Sequence, residues 1–124
     1  MLDRAETLDP FLPVWITEER VAALYALSRF EEMMRVALTL PFQTRRKSLY
    51  QIAASMACGD AGKAEFLVRQ ALSLDPSLSA VYIRMQETYA DESVTDTLVE
   101  RNCDAGLPLT PRKPVARKKS LSLR

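Results

Sequence analysis

The chain has 124 residues, of which 48% are apolar and 27% charged, and a formal net charge of +1. That is enough for one small domain with a buried core. It contains no His, which excludes a His general base, a His-containing catalytic triad and an imidazole metal site.

Its two thiols, Cys58 and Cys103, form no CxxC pair, which argues against a zinc site. No cofactor is expected. The first residues, Met1-Leu2-Asp3-Arg4-Ala5-Glu6, contain acids and no apolar run, unlike a signal peptide. No stretch has the ~18 apolar residues of a membrane span, so a reduced, cytoplasmic protein is expected. The charge is uneven. Six of the 17 basic residues and none of the 16 acidic ones fall in 112–124, giving an acidic body with a basic tail.

In chain order, residues 1–10 read as the last turns of a helix without its partner. Phe11 to Ile16, with Pro10 and Pro13, reads as a connector. Thr17-Glu18-Glu19 suits a helix start, a Thr cap with two acids in the first turn. Val21, Leu24, Tyr25 and Leu27 continue that helix to about Ser28. A second stripe, Phe30, Met33, Met34, Ala37 and Leu38, ends at Pro41. Leu49, Ile52, Ala53 and Met56 share one face of a helix over about 44–58. Cys58-Gly59-Asp60-Ala61-Gly62 is the next turn. Ala64, Phe66, Leu67, Ala71 and Leu74 line a helix over about 61–74. Ser77 caps a further helix with Val81, Tyr82, Met85 and Tyr89, and Asp91-Glu92-Ser93 breaks it. A short helix over about 94–103 follows, with Gly106 at its stop. From Pro108 onward little can be buried, and a disordered tail is expected.

A helix end recurs along this order. Ala71-Leu72-Ser73-Leu74-Asp75-Pro76 repeats the Ala-x-x-Leu-Asp-Pro form of Ala5 to Pro10, and Leu38-Thr39-Leu40-Pro41 is a degenerate copy between them. A spacing of about 33 residues marks stacked helical pairs. These residues resemble a tetratricopeptide repeat (TPR) protein. With Pro76 as the terminal proline of a unit, Gly59 falls at the inter-helix turn, Ala64 and Ala71 at the small positions, and Tyr82 and Tyr89 at aromatic positions of the next unit. Ser28, Met33 and Ile52 depart from the pattern. The ending Asp104-Ala105-Gly106-Leu107-Pro108 is similar to the C-terminal TPR region of bacterial regulators carrying a nucleotide cyclase or winged-helix domain. The resemblance implies an all-α fold, a right-handed α-solenoid of about three units over 1–107, with a tail over 108–124.

The resemblance also implies a concave partner-binding face. It would comprise Trp15, Glu18, Ala22, Tyr25, Arg46, Leu49, Ala53, Met56, Ala80, Ile83 and Glu87. Against that stands a plain packing role, the commoner fate of apolar residues at helical spacing. Trp15 is expected to cover the first helix pair, the methionines to sit in the core and Cys58 to act as a small apolar filler. The expected function is a protein–protein interaction module without catalytic activity. It would be either the regulatory C-terminal part of a signalling protein or a small adaptor that needs a partner. It would take a peptide or helix in its concave face, or self-associate through an open N-terminal end. The alternatives are a TPR-type chaperone of a secretion system and a nucleic-acid-associated protein acting through its tail. The tail lacks an aromatic to stack on bases, which argues against the latter.

Overall fold

A computed structural model describes residues 13–89 and 91–111. The described residues form six α-helices: α1 Val14–Ala26, α2 Phe30–Ala37, α3 Arg45–Ala57, α4 Ala61–Leu74, α5 Ala80–Gln86 and α6 Glu92–Asp104. Among the described residues there is no strand. The fold is all-α, as expected. The helix end expected in 1–10 and all of the expected tail from Arg112 on lie outside the described residues.

Local chemistry sets the boundaries. α1 begins three residues before the expected Thr17 cap. Pro13 has φ −59° and ψ 141° and its carbonyl accepts from the Ile16 amide (3.1 Å). A proline already holds the φ a helix start needs, so Thr17 falls inside the helix and is buried. Thr44 caps α3 by accepting from the Lys47 amide (3.0 Å), and Asp60 caps α4 by accepting from that of Lys63 (3.2 Å). At α5 the cap is Ser79, not Ser77. Ser77 instead donates through both its amide and its hydroxyl to Asp75 Oδ1. These bonds hold the Asp75 carboxyl below its usual range. α6 starts earlier than expected because Asp91 accepts from the Ser93 amide (3.0 Å). Ser28 (φ 61°) closes α1, and Gly59 (φ 84°) and Gly106 (φ 119°) follow α3 and α6.

Helix α3 is the axis of the packing. It touches α1, α2, α4 and α6, and every residue from Lys47 to Ser55 is buried. α1 with α2, and α3 with α4, are hairpins joined by three-residue turns. The third pair departs from a simple stack: α6, not α5, packs along α3. The core gathers Val21, Tyr25, Met33, Leu49, Tyr50, Ile52, Val68, Ile83 and Leu98 around this axis. Pro108 and Leu109 are tied into the fold, since their carbonyls accept from the Ala80 and Val81 amides (3.0 and 3.2 Å). Those amides are the first of α5 and have no partner within the helix.

Several expected core residues are outside it. Phe66, Leu74 and Met85 are exposed, as are Trp15 and Cys58. The turn at Gly59 lifts Cys58 off the hairpin, and Met85 lies on the outer side of α5. Both thiols are free. Met33 is fully buried, and Met34 and Met56 are half-buried.

Leu49 sits where α3 meets α6, with no exposed surface. Leu49→Ala is expected to cost about 3 kcal/mol, as for other buried Leu truncations. Phe66→Ala, on the outer face of α4, should shift stability by only about 0.5 kcal/mol. Urea denaturation of the two variants checks both figures.

Candidate functional site

The polar groups that converge in this fold lie along the seam where α1, α3 and the segment after α5 meet. Arg46 comes from the first turn of α3 and Tyr50 from the next turn on the same face. Glu87 follows α5, and Tyr89 lies two residues on. Arg46 Nε lies 3.0 and 2.9 Å from the two Glu87 carboxylate oxygens, and Arg46 NH1 donates to Glu19 Oε2 of α1 (2.6 Å). The Tyr50 hydroxyl donates to Glu87 Oε1 (2.6 Å) and lies 2.5 Å from the Tyr89 hydroxyl. Tyr89 in turn reaches the Ala22 carbonyl of α1 (3.3 Å). Glu87 is 5% exposed and Tyr50 fully buried.

The electrostatics follow from this geometry. Burial alone would lower the Arg46 guanidinium's pKa, but its bonds to Glu87 and Glu19 more than reverse that, so it stays charged. Burial raises Tyr50 far above the usual phenol range, and the bond to Glu87 adds to this. Burial also raises Tyr89. Such phenols are poor proton donors at neutral pH. The cluster thus fastens helices together. A cleft of about 440 Å³ opens beside it, bordered by Glu19, Ala22, Ala23, Arg46, Gln86, Glu87, Thr88 and Tyr89.

A second set of bonds holds α6 against α1 and α3. The Tyr25 hydroxyl lies 2.9 Å from Thr97 Oγ1 and accepts from Arg101 NH1 (3.0 Å). The Arg101 guanidinium also sits over the rings of Tyr25 and Phe30, 5.8 and 5.5 Å from their centroids. Asn102 Nδ2 donates to the Leu49 carbonyl (3.1 Å) and to that of Leu98 (2.9 Å). Thr95 donates to the Glu87 carbonyl (3.0 Å).

The residues expected on a concave face are therefore distributed otherwise. Ala22, Tyr25, Leu49, Ala53, Ala80, Ile83 and Glu87 are buried, and α6 occupies the space in front of α3. Arg46 and Glu18 are partly exposed and already engaged, Glu18 by the Thr44 hydroxyl (2.6 Å). Met56 is half-buried. Of the eleven, only Trp15 is well exposed, at 63%. Tyr50, Thr97, Arg101 and Asn102 were not anticipated. Their partners lie far away in sequence, and only the occurrence of Asn102 inside an apolar stripe hints at an interior role.

The surface carries three further features. Trp15, Leu38 and Phe42 are all exposed and lie at one end of the α1–α2 hairpin. The Glu18–Thr44 bond brings the start of α3, and so Phe42, to that end. The outer side of α5 shows Val81 and Met85, one turn apart, beside Leu109. On α6, Glu92, Asp96, Glu100 and Asp104 recur every four residues, all exposed. Like charges at that spacing cost a few tenths of a kcal/mol per pair, and among the described residues only Asp96 of the four has a cation within ion-pair distance, Arg84 at 3.0 Å.

Among the described residues no group of three or more Cys, Asp or Glu is placed to hold a metal ion, and no helix is long and apolar enough to cross a membrane. Comparison with family models, with curated proteins and with solved structures gave no match.

Two outcomes test the seam. Glu87→Gln removes the buried carboxylate from Arg46, which keeps only Glu19 at the rim, and is expected to cost about 2 kcal/mol. Tyr50→Phe keeps the ion pair and should cost about 1 kcal/mol. If Glu87→Gln is as mild in urea as Glu65→Gln on the exposed side of α4, the pair does not hold the seam.

The raised phenols also set an alkaline limit. Unfolded tyrosines ionise near 10.0, while Tyr50 and Tyr89 resist ionisation in the fold. Their contribution to stability is complete below about pH 10 and is lost as pH rises beyond it. Phenolate absorbance, compared with that of Tyr50→Phe and Tyr89→Phe, should show Tyr50 and Tyr89 ionising only together with loss of helical circular dichroism. Ionisation of these two while the helical signal is intact would contradict this.

Proposed function

We propose that this chain is a protein–protein interaction module without catalytic chemistry of its own, working by contact at its N-terminal end. The observation that carries this reading is the group Trp15, Leu38 and Phe42, which are 63%, 70% and 50% exposed at one end of the α1–α2 hairpin. Large aromatic and aliphatic side chains brought together on a surface mark association sites. The seam supports the same reading, because its polar groups are spent on one another.

A TPR-like adaptor, the regulatory C-terminal part of a larger signalling protein among them, remains the finer form of this proposal. Two hairpins, α1–α2 and α3–α4, sharing α3 as a neighbour support it. The placement of α6 along α3 limits that support to the first two pairs. A groove-type partner would have to displace α6, so association at the hairpin end is the preferred mode.

Light scattering of the full chain at tens of micromolar tests this. The expected result is a mass above the monomer that falls with dilution and is lost in Trp15→Ser/Phe42→Ser. These substitutions are on the surface and should leave the helical circular dichroism unchanged. A monomer at every concentration, or a mass unchanged in the variant, would overturn association through this end.

A further inference from the structure

We infer that the basic segment 112–124 docks in cis on the outer face formed by α5 and α6, as a charge-matched strap over an apolar stripe. That face has two adjoining parts. Val81, Arg84 and Met85 lie on one side of α5, with Val81 42% and Met85 70% exposed. Arg84 reaches from that side to Asp96 of α6 (3.0 Å), so the apolar stripe abuts the acidic row Glu92, Asp96, Glu100 and Asp104. Among the described residues, Glu92, Glu100 and Asp104 of this row have no cation within ion-pair distance.

Topology selects the occupant. The Leu109 carbonyl is bonded to the Val81 amide, so the chain leaves the described structure at Pro111 beside the start of α5. Leu109 itself is 69% exposed there and extends the apolar stripe. The thirteen residues that follow hold six cations, no acid and the apolar Val115, Leu121 and Leu123. The acidic row spans about 18 Å at the helical rise. An extended segment of that length reaches about 43 Å, so it can run the whole row. This docking sets a direction to test: chain length would pair Lys113 with Asp104, and Lys118 and Lys119 with Asp96 and Glu92. A tethered segment also competes at a high local concentration against any free basic peptide.

Zero-length carbodiimide cross-linking of the full chain, read by mass spectrometry, tests this. An equal mixture of ordinary and 15N-labelled chain is used. The expected result is Lys118 and Lys119 joined to Asp96, Glu92 or Glu100 several-fold more than to Glu31, Glu65 or Asp60, always within one isotope. Raising salt from about 0.01 M to about 1 M, which shortens the Debye length from about 30 to about 3 Å, should remove the preference. Val81→Ser/Met85→Ser, both on the surface, should weaken it several-fold. Links of mixed isotope would mean that a second copy occupies the face and would overturn the strap in cis. So would a spread over all exposed acids, or links confined to Lys113 and Asp104, which mere tethering explains.

Discussion

The Arg46–Glu87 pair governs the arrangement because it fixes the end of a very short helix to α3. Helix α5 has only seven residues, too short to be stable alone. Its end is fixed from three directions at Glu87. The amide bonds back to the Ile83 carbonyl, the carbonyl accepts from Thr95 of α6, and the carboxylate meets Arg46 and Tyr50 of α3. A buried pair of this kind gives little net stability against an apolar replacement, but breaking it is costly. Its effect here is to select one docking of α5 and α6 on α3 among the many that apolar contact would allow.

The same economy runs along α3, which is unusually polar for a central helix. Lys47 is 5% exposed, and its ammonium donates to the Leu40 and Phe42 carbonyls (3.1 and 3.2 Å). Burial lowers its pKa. It thereby satisfies carbonyls left open where the chain turns after α2. Gln43 bridges Ser48 and Gln51, and Asn102 takes the Leu49 carbonyl. Among the described residues, only the Ser55 Oγ and Asn102 Oδ1 side-chain atoms are buried without a partner. A helix so furnished accepts neighbours only where their polar groups match, which is how α6 comes to lie where a stacked repeat would leave a groove.

That distinction explains what could be read from the sequence. α4 was legible to the residue, because Asp60, Gly59 and the Ala64/Ala71 pair are local signals with local consequences. α2 and α3 were legible within a residue or so for the same reason. The position of α6 was not, since nothing in Thr95, Leu98, Val99 and Asn102 states which helix they will cover. Nor was the fate of Arg46. A cation in the first turn of a helix normally faces water, and only Glu87, 41 positions on, brings it into the seam. The aromatic pair Tyr82 and Tyr89 looked alike in repeat register. Yet Tyr82 lies under Arg45 at the rim, while Tyr89 reaches Tyr50 in the interior.

The packing of α6 also decides where contact with other molecules can occur. Once it fills the front of α3, the residues chosen for a groove have no surface to offer, and the large exposed side chains are left at the periphery. One group gathers at the start of the α1–α2 hairpin and another along α5. The first is built on two aromatic rings and a Leu, with the nearby Glu18 carboxylate engaged by the Thr44 hydroxyl, and so suits a largely apolar counterpart. The second is edged by four carboxylates, three of them without a cation close by among the described residues. A face of that composition repels a copy of itself and attracts a basic segment, so the two surfaces differ in the chemistry of what can cover them.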